Sequence, residues 1–279
     1  MKISIVTPVY NAVNTIEKTI QSVINQNHDS ELEYIVIDGG SNDGTIEIIN
    51  RYLDKIDIFI SEKDRGTYDA MNKGITHAKG DIIGIINADD WYNDGALKIV
   101  ENIFAKKTDI SIIYSPIDNY SDGKYLSTFI PGDLDNLVFK FTLNHPSCFV
   151  RASVYESIGM FDLSYSIAAD YDFIFRAYTS GYNFLCVNTT LASYSLDGIS
   201  GQRKNRLKMI KEGWRVAANF VEQKPGNLKI KHRIFYMNLV LKEFLISPIK
   251  SFDPLIIMKI KSYLRRYLGT FSSDKYGAW

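Results

Sequence analysis

A mostly parallel α/β sheet flanked by helices, with a helical extension at its C-terminal end, is the architecture that this 279-residue sequence predicts. Three features point to it. Apolar runs of strand length alternate with helical patterns over about the first 110 residues; those runs are rich in β-branched residues, as strands buried on both faces are; and the strand signal stops beyond Ser200. A chain that is 46% hydrophobic and 13% aromatic is globular, and its length allows one large core plus an appendage, because single cores stop growing near roughly 250 to 300 residues.

The expected strands are Ile3 to Val6, Tyr34 to Ile37, Ile56 to Ile60 and Ile82 to Ile86. After the first, Ile16, Ile20, Val23 and Ile24 fall at i, i+4, i+7 and i+8 on one helical face, with Asn14 or Thr15 placed to cap the helix. A second helix is expected from Thr45 to Leu53, with Ile46, Ile49 and Leu53 inward. A third runs from Thr67 to about Ala78, and a fourth follows Asp94-Gly95 with Leu97, Val100 and Phe104 inward. Residues from Tyr114 to Phe129 predict a hairpin around Ser121-Asp122-Gly123. Phe149 to Tyr178 combines a strand, a turn at Gly159 and a helix beginning near Asp170. Beyond Ser200, long basic helical segments are broken at Lys224-Pro225-Gly226, Ser247-Pro248 and Asp253-Pro254.

The balance of 32 basic against 32 acidic residues conceals an asymmetry: Arg203 to Lys275 holds 17 Lys or Arg and only 5 Asp or Glu. Such a tail suits an anionic partner, a membrane surface or a diphosphate, as well as a solvated helical face. Nucleic acid is not among the expected partners. Cys148 and Cys186 form neither a CxxC pair nor a disulfide framework, and Met1-Lys2 leads straight into a strand with no secretory leader pattern. The expected localisation is cytoplasmic; no apolar stretch reaches the roughly 18 residues of a membrane span, so a membrane-bound tail would lie on the inner face.

In open α/β sheets ligands sit beyond the carboxyl ends of the strands, where Thr7 to Asn11, Asp38 to Thr45, Ser61 to Gly66 and Asn87 to Asp90 are expected. The adjacent carboxylates Asp89 and Asp90 suit a hard divalent cation; the competing reading caps the helix after Gly95 with Asp90 or Asp94. Asp38 either receives a polar ligand donor or bonds the amides of its own turn, Asp38-Gly39-Gly40-Ser41. The stretch from Glu62 to Gly74 is polar on several sides and reads as a ligand wall, in which Arg65 or Lys73 would neutralise phosphate if not merely solvated. Asp170 and Asp172 open a helix, a common and stabilising placement without catalytic duty. Thr7-Pro8-Val9-Tyr10-Asn11 stands where a dinucleotide fold carries G-x-G-x-x-G, which disfavours NAD. The four histidines lack metal spacing, and no P-loop, G-x-S-x-G or zinc pattern is present.

In order and spacing, Val6 to Asn11, Asp38 to Thr45, Ser61 to Gly74, Asn87 to Trp91 and His145 to Arg176 resemble the inverting family-two glycosyltransferases of bacterial envelope polysaccharide synthesis, including O-antigen and capsule. The resemblance implies the GT-A (nucleotide-diphospho-sugar transferase) fold over 1–205, with a nucleotide-sugar half of about 1–110, an acceptor half of about 111–205, and a basic helical extension over 206–279. It implies a UDP-sugar donor, with glucose or galactose favoured, a lipid-diphosphate-linked saccharide acceptor, and Mn or Mg held by Asp89. Thr7, Pro8, Val9, Tyr10, Asp38, Gly40, Arg65, Asn87 and Ala88 would bind the nucleotide, with Asp38 reading uracil. Asp64, Tyr68, Asp69, Asn72, Lys73, Trp91 and His145 would contact donor or acceptor, and Asp170 would be the base. The chain departs from the family pattern at Asn87, the first position of D-x-D, and at Ala169, where the family pairs a Glu with the Asp. Two other readings compete: a sugar nucleotidyltransferase, whose Gly-rich, Arg-bearing loop is missing after the first strand, and a non-catalytic nucleotide-sugar-binding subunit.

Overall fold

The computed structural model describes residues 1–196, 205–224 and 226–246. Its centre is a seven-stranded sheet built from β1 (Lys2–Val9), β2 (Glu31–Asp38), β3 (Ile58–Ser61), β4 (Ile82–Ile85), β6 (Ile112–Tyr114), β9 (Phe149–Arg151) and β10 (Phe184–Cys186), in the order β10-β6-β9-β4-β1-β2-β3. All neighbours are parallel except around β9, which runs antiparallel to both β4 and β6. A second, four-stranded sheet, β5 (Trp91–Tyr92), β11 (Ala192–Ser195), β7 (Ile117–Ser121) and β8 (Lys124–Phe129), follows in that order. Its β7–β8 pair is the expected hairpin, turned by Asp122 and Gly123 at φ 48° and 71°.

Each central strand sends alternate residues to opposite faces, so each face acquires its own apolar layer. Ile3, Ile5, Tyr34, Val36, Ile82 and Phe149 pack with α1 (Ile16–Ile24), α2 (Thr45–Asn50) and α4 (Ala96–Lys106). Val6, Ile35, Ile37, Ile83, Ile85 and Val150 pack on the other face with α3 (Thr67–His77), α5 (Ala152–Ile158), α6 (Ala169–Thr179) and α7 (Arg206–Glu222). Fully burying one such side chain contributes about 1.5–3 kcal/mol, which makes the alternation a strong constraint on register. The last described helix, α8 (Gly226–Ile246), packs on α7. Among the described residues no helix is long and apolar enough to cross a membrane.

Several local expectations change. Thr7, Pro8 and Val9 do not lie beyond the first strand; they are its last buried residues, because β1 pairs with β2 through Val9↔Asp38. Thr15 occupies the N-cap of α1 but makes no side-chain capping bond. The second helix stops at Asn50, its buried residues are Thr45, Ile48 and Ile49, and Leu53 is exposed in a separate short turn, since the 3.6 period breaks after Arg51. Ala152–Ile158 forms a helix where only a strand and a turn were expected. Among the described residues beyond Asn205 the chain is helical over Arg206–Glu222 and Gly226–Ile246, and α7 buries Val216, Ala217 and Val221 in the main core instead of standing apart. The breaks at Ser247-Pro248 and Asp253-Pro254 and the basic residues past Ile246 lie outside the described residues.

Helix α3 reaches the sheet closely only because Gly74 has no side chain: a Cβ there would come within 2.2 Å of Val6 Cγ1. Gly74→Ala should therefore destabilise the protein by about 1 to 3 kcal/mol through overpacking, measured as a lower urea midpoint with an unchanged m-value.

Candidate active site

The carboxyl edge of the parallel strands gathers the acidic motifs. Asp38 ends β2, Asn87 to Asp90 follow β4, and β1 lies between those two strands. Helix α3 leaves the same edge after β3, and its first-turn Tyr68 reaches Asp170 at the start of α6: the Tyr68 hydroxyl is 2.9 Å from Asp170 Oδ1 and 2.7 Å from the Ile167 carbonyl. One edge thus carries Asp38, Asp89 and Asp170, drawn from three separate parts of the chain.

Asp38 is fully buried and satisfied from within. Its carboxylate accepts the Gly40 and Ser41 amides at 3.1 Å, the Ser41 hydroxyl at 2.5 Å and the Ser61 hydroxyl at 2.6 Å. The turn reading is the one realised, and the carboxylate's acceptor capacity goes into shaping the loop, in which Gly40 sits at φ 86°. The Asp64 carboxylate accepts the Gly66 amide and presses on this loop so closely that a Cβ on Gly39 would meet Asp64 Oδ2 at 2.5 Å.

At the next motif Asp90 is the buried carboxylate. It accepts Asn87 Nδ2 and the Ser195 amide, each at 3.0 Å, and burial together with the adjacent Asp89 pushes its carboxyl well above the ordinary range. It caps no helix; α4 starts from Gly95 without a side-chain cap. Because Asp90 takes the Asn87 amide nitrogen, Asn87 Oδ1 is left buried with no hydrogen-bond partner. An orphaned oxygen beside the half-buried Asp89 is a donor set that fits a hard divalent cation drawing its other ligands from phosphate and water. Among the described residues no group of three or more His, Cys, Asp or Glu side chains forms a metal cage.

Asp170 is held by Tyr68 and by the Tyr171 amide at 2.9 Å, and burial pushes its carboxyl up to about 6 against those hydrogen bonds. The nearby Asp172 is structural: it pairs with Arg176 at 2.8 Å, and Arg176 also clamps the Ile158 and Met160 carbonyls.

The expected ligand wall divides. Arg65 is exposed and paired with Asp69 at 2.8 Å, while Lys73 pairs with Glu62 at 2.7 Å. The Asn72 side-chain amide bonds the Phe161 backbone on both sides, at 2.9 and 3.0 Å, a structural use of a residue expected at the ligand. Tyr10 projects exposed from the end of β1, whereas Thr7 is buried with its hydroxyl 3.1 Å from Tyr34 Oη and Ala88 is buried in the core. The Trp91 ring lies against Tyr120 at 4.9 Å, tilted by 58°, and receives Lys18 Nζ 2.9 Å from its centroid. His145 contacts Phe161 edge-on at 5.8 Å, and burial pushes its imidazole down to about 4. Phe161, which also meets Tyr68 at 5.6 Å, and Ser195, which donates to Asp90, have no local sequence signal, and Ser61, expected only as the start of a cleft segment, serves Asp38; no local pattern marks a partner more than 20 positions away.

Residues 4–159 match the family description Glycosyl transferase family 2, and the chain belongs to that family: it is a glycosyltransferase with the GT-A type of α/β fold. An uncharacterized glycosyltransferase of Mycobacterium tuberculosis is 32% identical over 178 residues, covering 63% of this chain and 68% of that one. Residues 1–349 of Staphylococcus aureus TarS in complex with UDP-GlcNAc superpose with a TM-score of 0.64 at 19% identity, covering 79% of this chain and 66% of that one; of a longer TarS structure the chain spans only 40%. The mannosyltransferase PcManGT of Pyrobaculum calidifontis, in complex with GDP-Man and Mn2+, gives a TM-score of 0.66 at 17% identity over 95% of this chain and 80% of that one.

A carboxyl raised in the folded state favours the fold when protonated, so this contribution is present below the unfolded value near 3.8 and is lost as pH rises through about 6. Asp170→Asn, which keeps an oxygen acceptor for Tyr68, should therefore raise thermal stability at pH 7 by on the order of 1 to 2 kcal/mol after allowing for solvent screening, and the gain should vanish near pH 4. Calorimetry of both proteins across that range checks the sign.

Proposed function

We propose that this glycosyltransferase moves a hexose, glucose or galactose, from a UDP-sugar to a hydroxyl of a lipid-diphosphate-linked saccharide in surface polysaccharide synthesis, with inversion to a β-glycoside. The observation that carries this reading is Asp170: a half-buried carboxyl at the carboxyl edge of the sheet, hydrogen-bonded by Tyr68 and raised to about 6. A general base works best with its pKa near the operating pH, and within about 3 Å of the attacking hydroxyl such a group contributes roughly 100- to 10,000-fold. Asp170 takes the acceptor proton as the oxygen attacks the anomeric carbon from the side opposite the departing UDP, through an oxocarbenium-like state. A single displacement inverts that centre.

The Asp38–Ser41 loop, stiffened by Ser61 and Asp64, offers its backbone to the uracil, and Tyr10 offers an exposed ring beside it. Asp89 and the Asn87 amide oxygen would hold Mn or Mg, so that the first position of the metal motif passes from a carboxylate to an amide. When bound, the cation neutralises the charge that develops on the leaving diphosphate. His145, kept neutral by its burial, and Trp91 border the acceptor side. Residues 1–205 hold the groups that touch donor and acceptor in this reading, and the exposed face of α8 meets the membrane on which the acceptor lies. Ile230, Ile234, Met237, Leu241 and Phe244 of α8 are exposed among Lys229, Lys231 and Lys242, a composition suited to an anionic lipid surface.

A panel of UDP-sugars assayed with lipid-diphosphate GlcNAc or GalNAc analogues, with and without EDTA, tests donor, acceptor and metal together. Asp170→Asn should bind UDP normally while turnover falls at least about 100-fold; near-normal turnover removes Asp170 as base. In Asp89→Ala the metal-dependent part of UDP affinity should disappear in titration calorimetry. The full chain should sediment with anionic vesicles and lose that binding when truncated after Leu228.

A further inference from the structure

The loop that carries Asp170 is not self-supporting. Helix α6 begins after Ala168 with no side-chain cap of its own, and the preceding amides would be orphans without an outside acceptor. Helix α7 supplies one. Glu212, 5% exposed, accepts the backbone N–H groups of Ser166 at 3.1 Å, Ile167 at 2.9 Å and Ala168 at 3.1 Å through Oε2, and the Ser166 hydroxyl at 2.8 Å through Oε1. One turn further along α7, Arg215 lies over the Tyr165 ring at 4.4 Å and donates to Ser164 Oγ at 3.1 Å. Two side chains of one helix thus grip residues 164–168.

The Ile167 peptide connects this grip to the reaction centre. Its N–H goes to Glu212 and its carbonyl accepts from Tyr68, whose oxygen also lies 2.9 Å from Asp170 Oδ1. Tyr68 has one proton to donate and two acceptors within reach. With Asp170 ionised, that proton faces the carboxylate. The Ile167 carbonyl and Asp170 Oδ1 together fix the Tyr68 hydroxyl, so a shift of the carbonyl that Glu212 steadies would disturb the hydrogen bond that Asp170 accepts.

We infer that Glu212 is a positioning residue for the transfer reaction: α7 fixes the peptide groups on both sides of Ile167, and through Tyr68 it sets the geometry and protonation of Asp170. The inference rests on the reading of Asp170 as base. Three groups face Asp170 from the elements packed around it: Tyr68 of α3, Glu212 of α7 and Cys148 ahead of β9. Of these, the Glu212 charge pushes the Asp170 carboxyl upward and the Tyr68 hydrogen bond lowers it.

The test compares full-length wild type, Glu212→Gln and Asp170→Asn, using the UDP-sugar that the panel identifies and the same acceptor analogue, with kcat, donor KM and the pH profile measured for each. For Glu212→Gln the expected result is a kcat lower by about 10- to 100-fold, a donor KM within about twofold of wild type, and an acid limb displaced to lower pH, because one negative charge facing Asp170 is gone. Any other combination, including an unmoved acid limb, overturns the inference. If Glu212→Gln does not fold, Ser166→Ala removes only the bond to Oε1; a kcat lowered by about two- to fivefold supports the inference and an unchanged kcat overturns it. Near-normal turnover of Asp170→Asn would instead defeat the base reading itself, which keeps the two failures distinct.

Discussion

Burial of the central sheet on both faces is the constraint from which the rest follows. With helices packed above and below, the strand interiors are mainly aliphatic and aromatic, the few buried polar side chains there, such as Ser4 with Glu33 and Thr7 with Tyr34, are paired with one another, and the acidic motifs stand at the strand ends. The parallel order β4-β1-β2-β3 aligns those ends on one edge, so Asp38 and Asn87 to Asp90 stand there, and Tyr68 of α3, which leaves the same edge, meets Asp170 at the start of α6.

Carboxylates at such an edge are costly unless partnered, and the partners sort them into different tasks. Asp38 takes two hydroxyls and two amides and becomes the rigid centre of a loop. Asp90 takes the Asn87 amide nitrogen and a strand amide from the second sheet, which steadies the segment bearing Asp89 and leaves the Asn87 oxygen unspent. Asp172 is neutralised by Arg176. Asp170 receives two donors, the Tyr68 hydroxyl and the Tyr171 amide, with no cation, and burial raises its carboxyl to about 6. Four aspartates of identical chemistry thereby differ in protonation and exposure because their neighbours differ.

The helices past residue 205 extend this logic. Gly213 lets α7 approach Tyr171 and Tyr236, Val216 and Ala217 enter the main core, and Glu212 closes the amides ahead of α6. A segment that composition marks as a basic appendage is, over α7, part of the scaffold behind Asp170.

The sequence by itself determined the parallel strands β1 to β4 and the motifs at their ends, because β-branched apolar runs and glycine-bearing turns are local signals; β10, β11 and the antiparallel place of β9 emerged only in the fold. Val6, Ile35 and Ile83 declare a buried strand whatever surrounds them, and Asp38-Gly39-Gly40-Ser41 declares its turn. Tertiary structure alone decided which polar residue does what over long separations: that Asn72 binds the Phe161 backbone, that Ser61 and Ser195 answer Asp38 and Asp90, and that Glu212 reaches back 44 to 46 positions to the loop before Asp170. Hydrogen bonds and carboxyl protonation depend on distances of about 3 Å and on local solvent exclusion, and neither is encoded in the spacing of residues along a chain.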